Sequence, residues 1–210
     1  MKMSIDQIDY QLFHAINEWG RSASFLNPFM RFFAEDAFYL FFVGFLIYWF
    51  VRNENNRKMV IQSVISVCGG LAVSWLLGHL FYRDRPFVSH AVIQLIQHAA
   101  NASFPSDHAI GAFAIAASFA LYRKKEGIAW LIMAALIAFS RVWTGVHYPT
   151  DILGGALIGV IVAAVVHMLV NRSQTVSNWL NAGLNFYEKY EMKILPRYAK
   201  KEAQISTHRK

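Results

Sequence analysis

Ser140-Arg141-Val142-Trp143-Thr144-Gly145-Val146-His147-Tyr148-Pro149-Thr150-Asp151 places an arginine, a histidine and a carboxylate between two apolar runs. Ionisable groups at the junction of two hydrophobic segments are costly, so the default reading of such a cluster is functional. Two further fragments of the same character lie upstream: Arg83-Asp84-Arg85-Pro86 and Ser103-Phe104-Pro105-Ser106-Asp107-His108. The expectation is that all three converge on one phosphate-handling site held by membrane helices.

The flanks support this. The 210 residues are 56% hydrophobic and only 16% charged, where a soluble domain carries about a quarter. Apolar runs are expected to span at about 32–51, 59–81, 105–122, 128–146 and 152–170. Each approaches or reaches the ~20 residues that cross a bilayer. Pro105 is expected in the first turn of the third span, and Pro149 to break the chain before the fifth. Residues 4–20 space Ile5, Ile8, Leu12, Phe13, Ile16 and Trp19 as an amphipathic interfacial helix. Residues 87–104 read as a loop with a short surface helix. The tail alternates apolar and basic residues, which predicts an interfacial helix followed by a disordered end. The fold class is therefore all-α: a polytopic membrane bundle of about five or six transmembrane helices with amphipathic segments at both ends. The division is a phosphate-handling domain over 1–171 and a basic cytoplasmic tail over 172–210.

The net charge of +7 gathers in short turns between apolar runs, the membrane pattern rather than a nucleic-acid-binding surface. Turns 52–58 and 123–126 each hold three basic residues against one acid. With the tail, they alternate correctly to share the cytoplasmic side. The three polar motifs then reach the extracytoplasmic face together. Asp6 and Asp9 near the start, with no cleavage pattern after them, predict no secretory signal peptide. The one cysteine, Cys68, lies in an apolar run and reads as packing.

Arg85 and Arg141 carry planar guanidinium forks that suit phosphate oxygens. Ser106 and the backbone amides of a helix start at Ser106–His108 add donors for an anion. His147 and Asp151 are spaced i, i+4, which in a helical turn sets the carboxylate against one imidazole nitrogen and leaves the other as nucleophile. His108 is then a candidate general acid. Such a set suits phosphoryl transfer through a phosphohistidine, with no metal or cofactor required. His14, His79, His90, His98, His167 and His208 belong to no motif and are assigned to surface or packing roles. Gly154-Gly155 with Gly159 reads as close helix packing.

Arg85-Pro86, Pro105-Ser106-Asp107-His108 and the Ser140-Arg141, His147, Asp151 set resemble the type-2 phosphatidic acid phosphatase superfamily, which includes vanadium haloperoxidases. The short membrane form with Pro-Ser-Asp-His is similar to the bacitracin-resistance type of undecaprenyl pyrophosphate phosphatase. The resemblance implies Arg85, Ser106 and Arg141 as phosphate ligands, His108 as acid, His147 as nucleophile and Asp151 as its orienter. It implies undecaprenyl pyrophosphate or a related lipid phosphate as partner, within the lipid bilayer. Two positions depart from the pattern. Gly78 stands where the superfamily has a lysine, with Arg83 as a candidate substitute ligand. Asp107 replaces a glycine, and is expected to engage an arginine or shape the pocket for a diphosphate. Rival readings are another lipid phosphate (phosphatidylglycerol phosphate or phosphatidic acid), a metal-dependent hydrolase using His108, His147 and Asp151, and a transporter subunit.

Overall fold

The computed structural model describes residues 3–194. Among the described residues the secondary structure is entirely helical, in the order α1 (Ile5–Ser22), α2 (Asn27–Glu35), α3 (Phe38–Phe50), α4 (Glu54–Leu80), α5 (Pro86–Ser89), α6 (Asp107–Tyr122), α7 (Lys124–Trp143), α8 (Pro149–Arg172) and α9 (Gln174–Ile194). The chain divides into two units, Met1–His167 and Met168–Lys210. The first carries all three polar motifs. Within the described residues, the second holds the end of α8 and α9, and the expected disordered end of the tail falls outside them.

Three helices, α4, α7 and α8, are long and apolar enough to cross a membrane. The first expected span is not one continuous helix: α2 and α3 are bent by 51° at a break, and together they make a fourth candidate. Glu35 ends α2 and Asp36 follows as its C-cap, so these two acids mark the bend inside the span. The remaining apolar helix, α6, has only 16 residues. Pro105 is not in its first turn. The Phe104–Pro105 bond is cis, and the helix starts two residues later at Asp107 with Ser106 as N-cap. Pro149 opens α8 rather than merely ending what precedes it. It supplies no N–H and a preset φ, which suits a first helical position.

α6 is the inner helix. Its Ala112, Ile115, Ala116 and Phe119 pack with Phe33 and Phe41 from α2 and α3, Met59 from α4 and Ile137 from α7. Against α8 the contact is backbone-close: a Cβ on Gly155 would stand 2.7 Å from the Ser106 carbonyl oxygen, and one on Gly159 2.6 Å from that of Ile110. Lipid tails are as apolar as side chains, so membrane helices associate by close packing of small residues. Cys68, expected in the packing, is exposed on α4 instead. That helix turns Met59, Gln62, Ser63, Ser66, Gly70 and Ser74 inward. An apolar run does not tell a protein-facing position from a lipid-facing one.

α1 is amphipathic in an unexpected sense. Ser4 and Gln7 form a reciprocal capping box at its start, and Ile5, Ile8, Leu12 and Trp19 are exposed. The buried face instead carries Asp9, Phe13, Asn17 and Gly20. The Asn17 amide donates to the carbonyls of Ile93 and Trp143, both at 2.9 Å, and its oxygen accepts from Ile93 N–H at 2.8 Å. The N-terminal helix is thereby bonded to the α5–α6 loop and to the end of α7. At the opposite end of the bundle, Arg123 donates to Asn56 at 3.1 Å, so the two basic turns share one end.

Candidate active site

The α7–α8 junction is a tight loop. Gly145 takes φ +83°, and a Cβ there would come within 2.7 Å of the Ile93 carbonyl oxygen. This conformation and this approach both require glycine. The N–H groups of Val146 and His147 donate back to the Arg141 carbonyl at 3.1 and 3.3 Å, which aims His147 into the protein. His147 therefore precedes α8, and the expected shared helical turn with Asp151 does not exist. The pair still meets: Nδ1 of His147 lies 3.5 Å from Oδ2 of Asp151. Asp151 sits in the first turn of α8, where its Oδ2 accepts from the Tyr148 N–H at 2.8 Å and from Ser103 Oγ at 2.5 Å. A carboxylate is favoured at that helix end.

Arg85 comes in from the other side. Its Nη1 lies 2.9 Å from His147 Nε2 and donates to the Val146 carbonyl at 3.0 Å. The rest of its fork is fixed by Asn101 at 2.9 Å and the Ala102 carbonyl at 3.2 Å. Burial pushes the His147 imidazole down to about 4, against the opposing pull of its hydrogen bond to Asp151 and reinforced by Arg85. The ring is thus neutral at ordinary pH.

Arg141 is 2% exposed. Its Nη1 donates to the Ala34 carbonyl at 2.6 Å, while its Nε and Nη2 are buried without a partner. Ser106 Oγ shares that state: the residue is the N-cap of α6, yet its side chain makes no cap hydrogen bond. Buried donors are nearly always paired. Unpaired donors from two different motifs are what an absent anion would leave. His108 lies in the first turn of α6, its ring edge-on to Phe38 with centroids 6.2 Å apart.

Two sequence expectations land differently. Arg83, a candidate phosphate ligand, is engaged by Asp9 at 2.7 Å, Thr150 at 2.8 Å and Asp151 at 3.2 Å, so its guanidinium is paired with two carboxylates. Asp107 is exposed and accepts from Ser74 Oγ; its observed partner is a hydroxyl, not an arginine. Asp107 and Asn101 do line a cavity of ≈ 720 Å³, together with Gly78, Trp75 and Phe104. The wall thus includes the glycine that stands where a lysine was expected.

Three contributors were missed. His98, assigned to surface or packing, has its ring 6.1 Å from that of His147, with Nδ1 on the Ala99 carbonyl at 3.1 Å. Burial lowers its pKa, with Arg85 and Arg141 adding to the effect. Ser103, part of the second motif, has no role in the sequence reading, and Asp9 enters it only as a charge near the start of the chain. Only their placement in space reveals them. Among the described residues, no three of His, Cys, Asp and Glu are grouped so as to hold a metal ion.

Residues 59–175 match the PAP2 superfamily. The chain is 37% identical to a protein named bacitracin transport permease protein BcrC, from Bacillus licheniformis, over 92% of this chain and 94% of that one. It is also 37% identical to undecaprenyl-diphosphatase BcrC of Bacillus subtilis (strain 168), over 74% of this chain and 80% of that one. Among solved structures it resembles the crystal structure of Aquifex aeolicus LpxE, with a TM-score of 0.66, 26% identity, and coverage of 78% of this chain and 98% of that one.

Proposed function

The chain belongs to the PAP2 superfamily, and on that premise we propose that it hydrolyses undecaprenyl pyrophosphate to undecaprenyl phosphate and inorganic phosphate in the membrane. The observation that carries this reading is the set of unpaired buried donors, Arg141 Nε and Nη2 with Ser106 Oγ, around a neutral imidazole whose Nε2 faces Arg85. Preorganised donors of this kind stabilise charge that develops on a phosphoryl group.

The chemistry follows from the roles. His147 Nε2 attacks the terminal phosphorus; an N–P bond forms and the bond to the bridging oxygen breaks. The leaving group is undecaprenyl phosphate, and His108 supplies its proton. Water then attacks the phosphohistidine, giving a proton to His108 as the N–P bond breaks and phosphate departs, which returns both histidines to their starting states. Asp151 holds Nδ1 and offsets the positive charge on the ring while phosphorus is bound. The ≈ 720 Å³ cavity beside Asn101 and Asp107, with apolar Leu71, Trp75 and Phe104 in its wall, suits a head group whose lipid remains in the bilayer.

α2–α3 together, α4, α6, α7 and α8 serve as five spans. The basic turns and the tail lie on the cytoplasmic side, and the site faces outward, where the carrier lipid of wall synthesis would be recycled. Competition with bacitracin for the same pyrophosphate lipid would follow.

The Bacillus licheniformis relative is named as a transport permease, which makes transport the second reading. Against it, the unpaired donors belong to groups suited to covalent phosphoryl transfer rather than to a polar path through the membrane. Phosphate release by the purified protein from a panel of lipid mono- and diphosphates, set beside solute flux in vesicles, decides between them. Release from undecaprenyl pyrophosphate supports the proposal. Flux with no phosphate release overturns it, and preference for phosphatidylglycerol phosphate or phosphatidic acid reassigns the substrate.

A further inference from the structure

Arg83 lies between two buried carboxylates that are far apart in sequence. Its Nη2 is 2.7 Å from Asp9 Oδ2 and its Nη1 3.2 Å from Asp151 Oδ1. The two carboxylate side chains are 2% and 0% exposed. Asp9 also accepts from the Thr150 N–H at 3.0 Å and the Thr150 hydroxyl at 2.6 Å, which ties α1 to the first turn of α8. The guanidinium stands 3.8 Å over the Tyr148 ring.

We propose that Asp9, on the N-terminal helix, is a positioning residue for the hydrolysis: by sharing Arg83 it sets how much negative charge Asp151 presents to His147. Arg83 paired with Asp151 alone would draw the carboxylate's charge away from the imidazole. Asp9 holds one side of the guanidinium, and two carboxylates then share one cation. The surplus charge falls at Asp151, whose other oxygen faces Nδ1 of His147. This matters once Nε2 bonds to phosphorus and the ring becomes cationic. The inference rests on the reading of His147 as nucleophile.

The groups involved are these. His147 is faced by Arg85, Asp151, Ser103 and the His98 ring, with Arg141 and His108 in its electrostatic surroundings. Asp151 is faced by Arg83, Ser103, the Tyr148 N–H and His147. Arg83 is faced by Asp9, Thr150, Asp151 and the Tyr148 ring, with His90 edge-on to that ring and Tyr10 tilted against His90.

The test measures kcat and KM for phosphate release from undecaprenyl pyrophosphate against pH, using the full chain. Asp9→Asn leaves Arg83 to draw on Asp151 alone and should lower kcat by about tenfold with little change in KM. Arg83→Gln removes a cation near the imidazole, which favours the protonated ring, so the acid limb of the profile should move to higher pH by about one unit. Asp9→Asn should not move it upward. The double variant restores the charge balance and should return the limb toward wild type, with kcat above that of Asp9→Asn alone. Arg83→Lys, which keeps the charge, should leave the limb in place. A limb unmoved in Arg83→Gln, or a double variant no faster than Asp9→Asn, overturns the proposal. If Asp9→Asn does not insert, the Arg83→Gln and Arg83→Lys profiles decide by the same limb criterion. A His147→Ala protein that still releases phosphate would fail the nucleophile reading instead, a separate outcome.

Discussion

Arg85 Nη1 stands 2.9 Å from Nε2 of His147. A guanidinium nitrogen only donates, so Nε2 must be the accepting nitrogen and Nδ1 must carry the hydrogen, toward Asp151 Oδ2 at 3.5 Å. One contact thus fixes the tautomer and places a guanidinium donor beside the lone pair proposed to attack.

Arg85→Lys keeps a charge but cannot hold Asn101, the Ala102 and Val146 carbonyls and His147 at once. kcat/KM should fall by about 10²–10³, the typical loss for one transition-state donor. Steady-state phosphate release checks this, and wild-type activity would remove Arg85 from the site.

Arg141→Lys loses the Nε and Nη2 donors that are buried without partners. Turnover should drop by about 10² or more, and inorganic phosphate should become a weaker competitive inhibitor. Normal insertion with undiminished phosphate inhibition would contradict the clamp.

Burial holds the His147 imidazole at about 4, so the ring stays unprotonated as pH falls through the ordinary histidine range near 6.5. The limb of kcat/KM that reports this group should appear on approach to pH ~4 rather than near 6.5. A limb centred near 6.5 that His98→Gln leaves in place would argue against a dry, neutral nucleophile.

His147→Ala should abolish hydrolysis of every substrate, because it removes the attacking nitrogen. His108→Ala should cost more on a lipid monophosphate, which expels a basic alkoxide, than on the diphosphate, which expels a weakly basic phosphate monoester. The acid-catalysis factor at stake is about 10²–10⁴. Asp151→Asn should slow both substrates alike. Equal losses for His108→Ala on the two lipids would falsify its assignment as the acid.

Cysteines placed at Ser89 and Asn55, both exposed, report the orientation. On intact cells an impermeant thiol reagent should modify the first and not the second. The native Cys68 is exposed in the middle of α4, a span proposed to lie in the bilayer that an impermeant reagent does not enter, so it should stay unlabelled. The reverse pattern would invert the topology.

The all-helical membrane character was legible because a chain poor in charge and rich in long apolar runs has few other ways to satisfy its backbone in lipid. The bend at Asp36–Ala37 and the short α6 were not legible, since hydropathy records apolar length and not where a helix breaks. Arg85, Ser106, His108, Arg141, His147 and Asp151 stood out for one reason: they belong to short polar clusters set between apolar runs.

The sequence by itself determined the helical class and the family, and singled out the residues proposed to handle phosphate, because residue type and local spacing carry that chemistry. Only the tertiary structure decided that His147 lies outside the helix and meets Asp151 through a Gly145 turn, that Arg83 bridges carboxylates, and that Asp9 and His98 stand at the site. Those facts depend on which side of α1 turns inward and how the α5–α6 loop folds back over α7. Such choices are set by long-range hydrogen bonds, Asn17 to Ile93 and Asp9 to Thr150, between segments that no local pattern connects.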